Sequence, residues 1–122
     1  MKSFRILVVD DEKVICDACH LVLSEAGHTV EVQTSGQAGL LAIRQGIYDV
    51  ALLDMKLSDS DGMDILRAVR KEKPSMNIII MTGYSILSNA VEAMKMGAAD
   101  YLAKPFTDEE LIVALERAMQ RE

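Results

Sequence analysis

Val50-Ala51-Leu52-Leu53-Asp54 runs straight into the polar segment Met55-Lys56-Leu57-Ser58-Asp59-Ser60-Asp61-Gly62. A short apolar run bounded by turn-forming residues reads as a strand buried on both faces. Asp54 then stands at the carboxyl end of that strand, where open α/β sheets place their ligands.

Working outward, the same pattern recurs on both sides. Phe4 to Val9 is an apolar, β-branched-rich run that ends in Asp10-Asp11-Glu12, a first strand followed by an acidic loop. From Lys13 to Ala26 the residues Ile15, Cys19, Val22 and Ala26 recur at helical spacing, and Gly27 is a natural stop. His28 to Gln33, with Val30 and Val32 on one face, reads as the second strand. Thr34 or Ser35 can cap a helix that runs to about Gln45.

Beyond the Asp59–Gly62 turn, a helix over Met63 to Glu72 carries Ile65, Leu66 and Val69 inward, and Pro74 follows it. Asn77 to Met81 contains Ile78-Ile79-Ile80, a plain buried strand. Leu87, Ala90, Val91 and Met94 mark a helix ending at Gly97, and Tyr101 to Ala103 is a short fifth strand before Lys104-Pro105. Thr107 and Glu110 have the spacing of a capping box for a last helix, whose inward face is Leu111, Leu115, Ala118 and Met119.

Strand and helix alternate five times without repeat or linker. That implies a doubly wound α/β fold, a five-stranded parallel sheet with five helices on its two faces. In the flavodoxin-like strand order 2-1-3-4-5 the first and third strands are neighbours, which brings Asp10 and Asp11 beside Asp54.

The 122 residues suffice for one domain with a buried core, expected to span residues 1–122. Half of them are hydrophobic, which excludes a disordered chain. A net charge of -6 argues against direct nucleic acid binding by this domain. No apolar run is long enough for a membrane span. Ile6 to Val9 is too short for a signal-peptide core, so a cytoplasmic chain with reduced cysteines is expected.

Three carboxylates crowded at one point repel one another by about 4 kcal/mol per pair at 4 Å and an effective dielectric near 20. They make sense around a hard cation, and Mg²⁺ held by carboxylates, waters and a phosphate suits them. Lys104 could reach the same place as a point charge for an anion. Thr82, at the end of the fourth strand, could hydrogen-bond a phosphoryl oxygen. Taken singly, each has an ordinary alternative as a solvated strand-end or turn residue.

Together, Asp10-Asp11, Asp54, Thr82 and Lys104-Pro105 resemble the CheY-like receiver domain of bacterial two-component response regulators. The segment from Thr82-Gly83-Tyr84 through Ala90-Val91-Glu92-Ala93-Met94-Lys95 to Gly97-Ala98-Ala99-Asp100-Tyr101-Leu102-Ala103-Lys104-Pro105-Phe106 is similar to receivers of enhancer-binding transcriptional activators. The resemblance covers essentially the whole chain. It implies that Asp54 accepts a phosphoryl group from a sensor histidine kinase or phosphotransfer protein. It also implies Mg²⁺ held by Asp10, Asp11, Asp54 and the backbone carbonyl of Lys56. Lys104 would pair with Asp54 and then with the phosphoryl oxygens; Thr82 and Tyr101 would act as the switch. The responding surface would be the fourth helix, fifth strand and fifth helix, read by an output domain or a target protein, with a phosphorylation-dependent dimer among its outcomes. Catalysis would be confined to the domain's own phosphorylation and dephosphorylation. The chain would be either a stand-alone receiver or the amino-terminal piece of a transcription regulator.

One departure from the common family pattern stands in the loop after Asp54. Ser58 occupies the place where a proline often precedes the Asp-Gly pair, here Asp61-Gly62, so the loop is expected to be less rigid. Lys56 and Tyr84 would flank the pocket and tune hydrolysis.

Other classes fit less well. Cys16-Asp17-Ala18-Cys19-His20 matches the attachment pattern of a c-type haem electron carrier. That chemistry needs an exported chain, and Cys19 falls on the inward face of its helix. The segment Leu57 to Gly62 lacks the first and last ligands of a calcium loop. Lys56 stands where an aspartate-nucleophile phosphatase would need its second aspartate.

Overall fold

In the computed structural model, residues 2–83 and 87–120 are described, the side chains of 87–89 excepted. The strands are β1 (Arg5–Val9), β2 (Thr29–Gln33), β3 (Val50–Asp54), β4 (Asn77–Gly83) and β5 (Asp100–Lys104). The helices are α1 (Lys13–Glu25), α2 (Gly36–Gln45), α3 (Gly62–Glu72), α4 (Leu87–Lys95) and α5 (Asp108–Gln120). The strands form one parallel sheet in the order β2-β1-β3-β4-β5. The expected fold class and strand order are therefore both present.

Alternation along the strands divides the core in two. Leu7, Val9, Ala51, Leu53, Ile78 and Ile80 face α2, α3 and α4. Ile6, Val8, Val50, Leu52, Ile79 and Met81 face α1 and α5. Every residue of β3 is buried, as a central parallel strand requires.

Helix ends follow the local chemistry. Ser35 caps α2 by accepting from the Ala38 N–H, and Thr107 and Glu110 exchange reciprocal bonds of 3.1 and 2.8 Å before α5. Gly27 and Gly97 adopt φ near +99° and +100°. Each closes a Schellman motif: the His28 N–H reaches the Leu23 carbonyl, and the Ala98 N–H reaches that of Ala93.

Two helix faces differ from expectation. In α1 the fully buried residues are Cys16, Cys19 and Leu23, while Ile15 and Val22 are only partly covered. α1 thus presents Cys16, Cys19 and Leu23 to the cluster shared with α5, a rotation about its axis that spacing alone leaves undetermined. In α4 the core receives Ala90 and Ala93, whereas Val91 is 50% and Met94 37% exposed. The Leu87 side chain, also expected inward, lies outside the described residues. β4 and β5 also run further than expected, to Gly83 and Lys104, which carries Thr82 and Lys104 on paired strands. Among the described residues no helix is long and apolar enough to cross a membrane.

Candidate functional site

Asp10 follows β1, Asp54 ends β3, Thr82 lies near the end of β4 and Lys104 ends β5. Parallel strands put all four at the same edge of the sheet. The Lys104 Nζ lies 2.7 Å from Asp10 Oδ2, 3.1 Å from Glu12 Oε1 and 3.3 Å from Asp54 Oδ2. The Lys104–Pro105 peptide is cis.

The backbone at this edge is held closely. Asp54 Oδ1 accepts from the Lys56 N–H at 3.2 Å, and Asp10 Oδ1 accepts from the Glu12 N–H at 2.8 Å. Gly62 lies against the chain leaving β3: a Cβ there would come within 2.5 Å of Met55 Cα and 2.8 Å of the Asp54 carbonyl oxygen. Only glycine fits this approach without displacing the backbone that carries Asp54.

Charge is crowded here. Burial raises the Asp54 carboxyl above the ordinary carboxylate range, and the neighbouring Asp10 adds to it; the Lys56 N–H and the Lys104 ammonium pull the other way. Burial disfavours the charged form of Lys104, but its close contacts with the Asp10 and Glu12 carboxylates and the negative charges of Asp10 and Asp54 outweigh it, so its pKa is raised. One ammonium among three carboxylates leaves net negative charge.

Oxygens of Asp10, Glu12 and Asp54 lie within 4.8 Å of one another, so this group could hold a metal ion. The donor set fits a hard cation: all are carboxylate oxygens, and Asp10 Oδ2, fully buried, makes no directed hydrogen bond. Its 2.7 Å approach to Lys104 is a charge contact, since the geometry does not meet that of a hydrogen bond.

Glu12 is the member that sequence reasoning missed. It occupies the N-cap position of α1 yet makes no side-chain cap bond, because its carboxylate turns to Lys104. A glutamate where helices prefer Ser, Thr, Asp or Asn was the available signal. Asp11, expected among the metal ligands, is not in the three-carboxylate group; its Oδ2 accepts from the Ser58 N–H at 2.9 Å. The substitution of serine for proline thus supplies a donor that proline lacks. The loop is further tied by Asp59, whose oxygens accept from the Gly36 and Gln37 N–H groups, and by Asp61, which caps α3 through Met63. These bonds take up the freedom expected of it.

A cavity of about 290 Å³ opens above Asp54, lined by Glu12, Met55, Lys56, Thr82, Gly83 and Lys104. Thr82 is buried at its wall. Tyr101 stands away from this cavity, 43% exposed, and borders a groove of about 400 Å³ with Ala90, Val91, Met94 and Lys95. Tyr84 lies outside the described residues.

The haem alternative does not fit. Cys16 and Cys19 are buried at 2% and 0% exposure, and the Cys16 Sγ donates to the Asp10 carbonyl at 3.1 Å. Burial pushes the two thiols up to about 11 and about 12, away from the reactive thiolate.

Comparison with known proteins agrees with this fold. Residues 6–116 match the family described as Response regulator receiver domain. The chain is 37% identical over 117 residues to the transcriptional regulatory protein ZraR of Escherichia coli K12, covering 96% of this chain and 26% of that protein. It is 33% identical over 119 residues to the alginate biosynthesis transcriptional regulatory protein AlgB of Pseudomonas aeruginosa, covering 98% and 26%. The chain therefore spans about a quarter of the length of these curated relatives. Among solved structures, a receiver domain protein from Clostridium thermocellum superposes with TM-score 0.90 at 40% identity, covering 96% of this chain and 94% of that one. NtrX from Brucella abortus superposes with TM-score 0.92 at 32% identity, over 98% of this chain and 27% of that one.

Proposed function

This chain belongs to the response regulator receiver domain family, and on that premise we propose that residues 1–122 form one receiver domain that accepts a phosphoryl group on Asp54. The observation that carries the proposal is the placement of Asp54: buried, 3.3 Å from the Lys104 ammonium, and bordering a cavity of about 290 Å³ that Thr82 and Lys104 also line.

An oxygen of the Asp54 carboxylate attacks phosphorus, and the bond from phosphorus to the donor imidazole nitrogen breaks. The imidazole leaves as a neutral ring: the departing nitrogen keeps the electron pair and the other nitrogen keeps its proton. The product is an acyl phosphate, formed by a carboxylate nucleophile. The Lys56 N–H fixes one Asp54 oxygen, so the carboxylate is oriented before the donor arrives. Lys104 offsets the charge on the phosphoryl oxygens once it leaves Asp54, and Thr82 donates its hydroxyl to one of them.

Mg²⁺, when bound, would supply positive charge to the crowded oxygens and to the incoming phosphoryl group. Asp10, Asp54 and the Lys56 carbonyl would hold it, with Asp11 turning in as a further ligand; Glu12, the third carboxylate of the cluster, would stay with Lys104.

Movement of Thr82 toward the phosphoryl oxygen would draw Tyr101 inward and reshape the groove beside Val91 and Met94, a local charge event biasing a two-state surface. We read the output as transcriptional because the relatives ZraR and AlgB are named as transcriptional regulatory proteins. The donor would be a histidine kinase or phosphotransfer protein in the cytoplasm.

Borohydride trapping tests the site directly, since it reduces an acyl phosphate to the alcohol. Peptide mapping should place homoserine at position 54; homoserine elsewhere, or none in labelled protein, would refute the assignment.

A further inference from the structure

We propose that the Ser58 backbone N–H is a latch that holds Asp11 away from the cation site, so that metal binding must first break the Ser58–Asp11 bond. The inference rests on the reading that Asp11 serves a divalent cation.

Three observations support it. Asp11 Oδ2 accepts from the Ser58 N–H at 2.9 Å, and Asp11 is absent from the group of carboxylates within 4.8 Å of one another. Asp11 borders a cavity with Leu57, Ser58, Ser60 and Asp61 that meets the Asp54 cavity at Met55 and Lys56, whereas Glu12, Asp54, Thr82 and Lys104 line only the latter. The loop carrying Ser58 cannot simply follow Asp11 inward. Asp59 pins it to the Gly36 and Gln37 N–H groups, and the Gly62 N–H pins its far end to the Met55 carbonyl at 3.0 Å.

An N–H donating to a carboxylate is a charge-assisted bond that favours the position in which it is made. Asp11 gives up that bond when it turns toward the cation, and the loss is subtracted from metal affinity. Proline at this position has no N–H and no latch. Ser58 is thus a positioning residue acting through its backbone, and its hydroxyl plays no part.

Amide exchange in the full chain, followed by NMR, reads the latch directly. The Ser58 amide should be protected without metal and exchange faster on adding saturating Mg²⁺; Asp11→Ala should give the fast exchange without metal. By calorimetry, Ser58→Pro should bind Mg²⁺ about threefold to tenfold tighter, the span expected of one hydrogen bond whose charge is screened by solvent, as this exposed one is. Ser58→Ala, which keeps the N–H, should bind as wild type does. Unchanged or weaker binding by Ser58→Pro, with Asp11→Ala still impaired, would overturn the latch alone. Equal Mg²⁺ binding by wild type and Asp11→Ala would overturn the underlying metal assignment and the latch with it. If Ser58→Pro does not fold, the wild-type exchange measurement decides: protection of Ser58 that rises with Mg²⁺ refutes the latch.

Discussion

Helices α3 and α4 cover the same face of the sheet and are held to it by different means. α3 buries Met63, Ile65, Leu66 and Val69 and is capped by Asp61. Just past its end, the Lys73 ammonium donates to the Ile43 and Gly46 carbonyls, and Glu72 makes a two-pronged pair with Arg44 at 2.7 Å. Among its described residues, α4 gives the core Ala90 and Ala93 and leaves Val91 and Met94 toward solvent. Burying a large aliphatic side chain contributes about 1.5–3 kcal/mol, against about 0.8 kcal/mol for a single methyl. Among the described residues, the helix that follows the Asp54 loop is anchored by large side chains, and the helix beside Tyr101 is held by small ones. Elements that move in switching come from the lightly held part of a fold. On the proposed function, the first helix would be the fixed chemical end and the second the face that shifts.

The contrast can be broken by substitution. Leu66→Ala should have the largest effect, a loss of about 2–5 kcal/mol in urea unfolding. Ala93→Gly should cost about 1–2 kcal/mol, the sum of helix propensity and one buried methyl; a loss equal to that of Leu66→Ala would erase the distinction. Asp61→Ala, which removes the α3 cap, should cost about 1 kcal/mol.

Asp54→Asn should do the opposite and raise the melting temperature. Burial and Asp10 raise the folded-state pKa of Asp54. Its contribution to stability is therefore full below the unfolded carboxyl pKa and lost as pH rises through the folded value. The advantage of the Asn variant should accordingly be small in acid and grow toward neutral pH. A gap that shrinks with rising pH would contradict the sign. The smallest effect belongs to Val91→Ser, within about 0.5 kcal/mol, because an exposed side chain on α4 has little packing to lose. A large loss there would mean α4 is anchored after all.

The apolar runs at Ile6–Val9, Val50–Leu53 and Ile78–Met81 made the sheet legible, because a strand buried on both faces has nowhere to put a polar side chain. Gly27 and Gly97 were legible as stops because their positive φ suits glycine above other residues. The buried faces of α1 and α4 were less so. Both carry apolar residues around much of their circumference, and spacing fixes a helical period without its rotation against the sheet. Asp10, Asp54 and Lys104 converged as strand-end residues should, while Glu12 joined them through the reach of Lys104 across the sheet edge. The Ser58–Asp11 bond runs from a backbone N–H to a side-chain carboxylate 47 positions away, which no residue-type pattern encodes.

The central claim, phosphoryl transfer to Asp54, is most directly tested by intact mass after incubation with Mg²⁺ and acetyl phosphate. Gain of a single phosphoryl group is expected, abolished by Asp54→Ala and by a chelator. Folded wild-type protein that gains no mass, or an Asp54→Ala variant that gains as much as wild type, would contradict it.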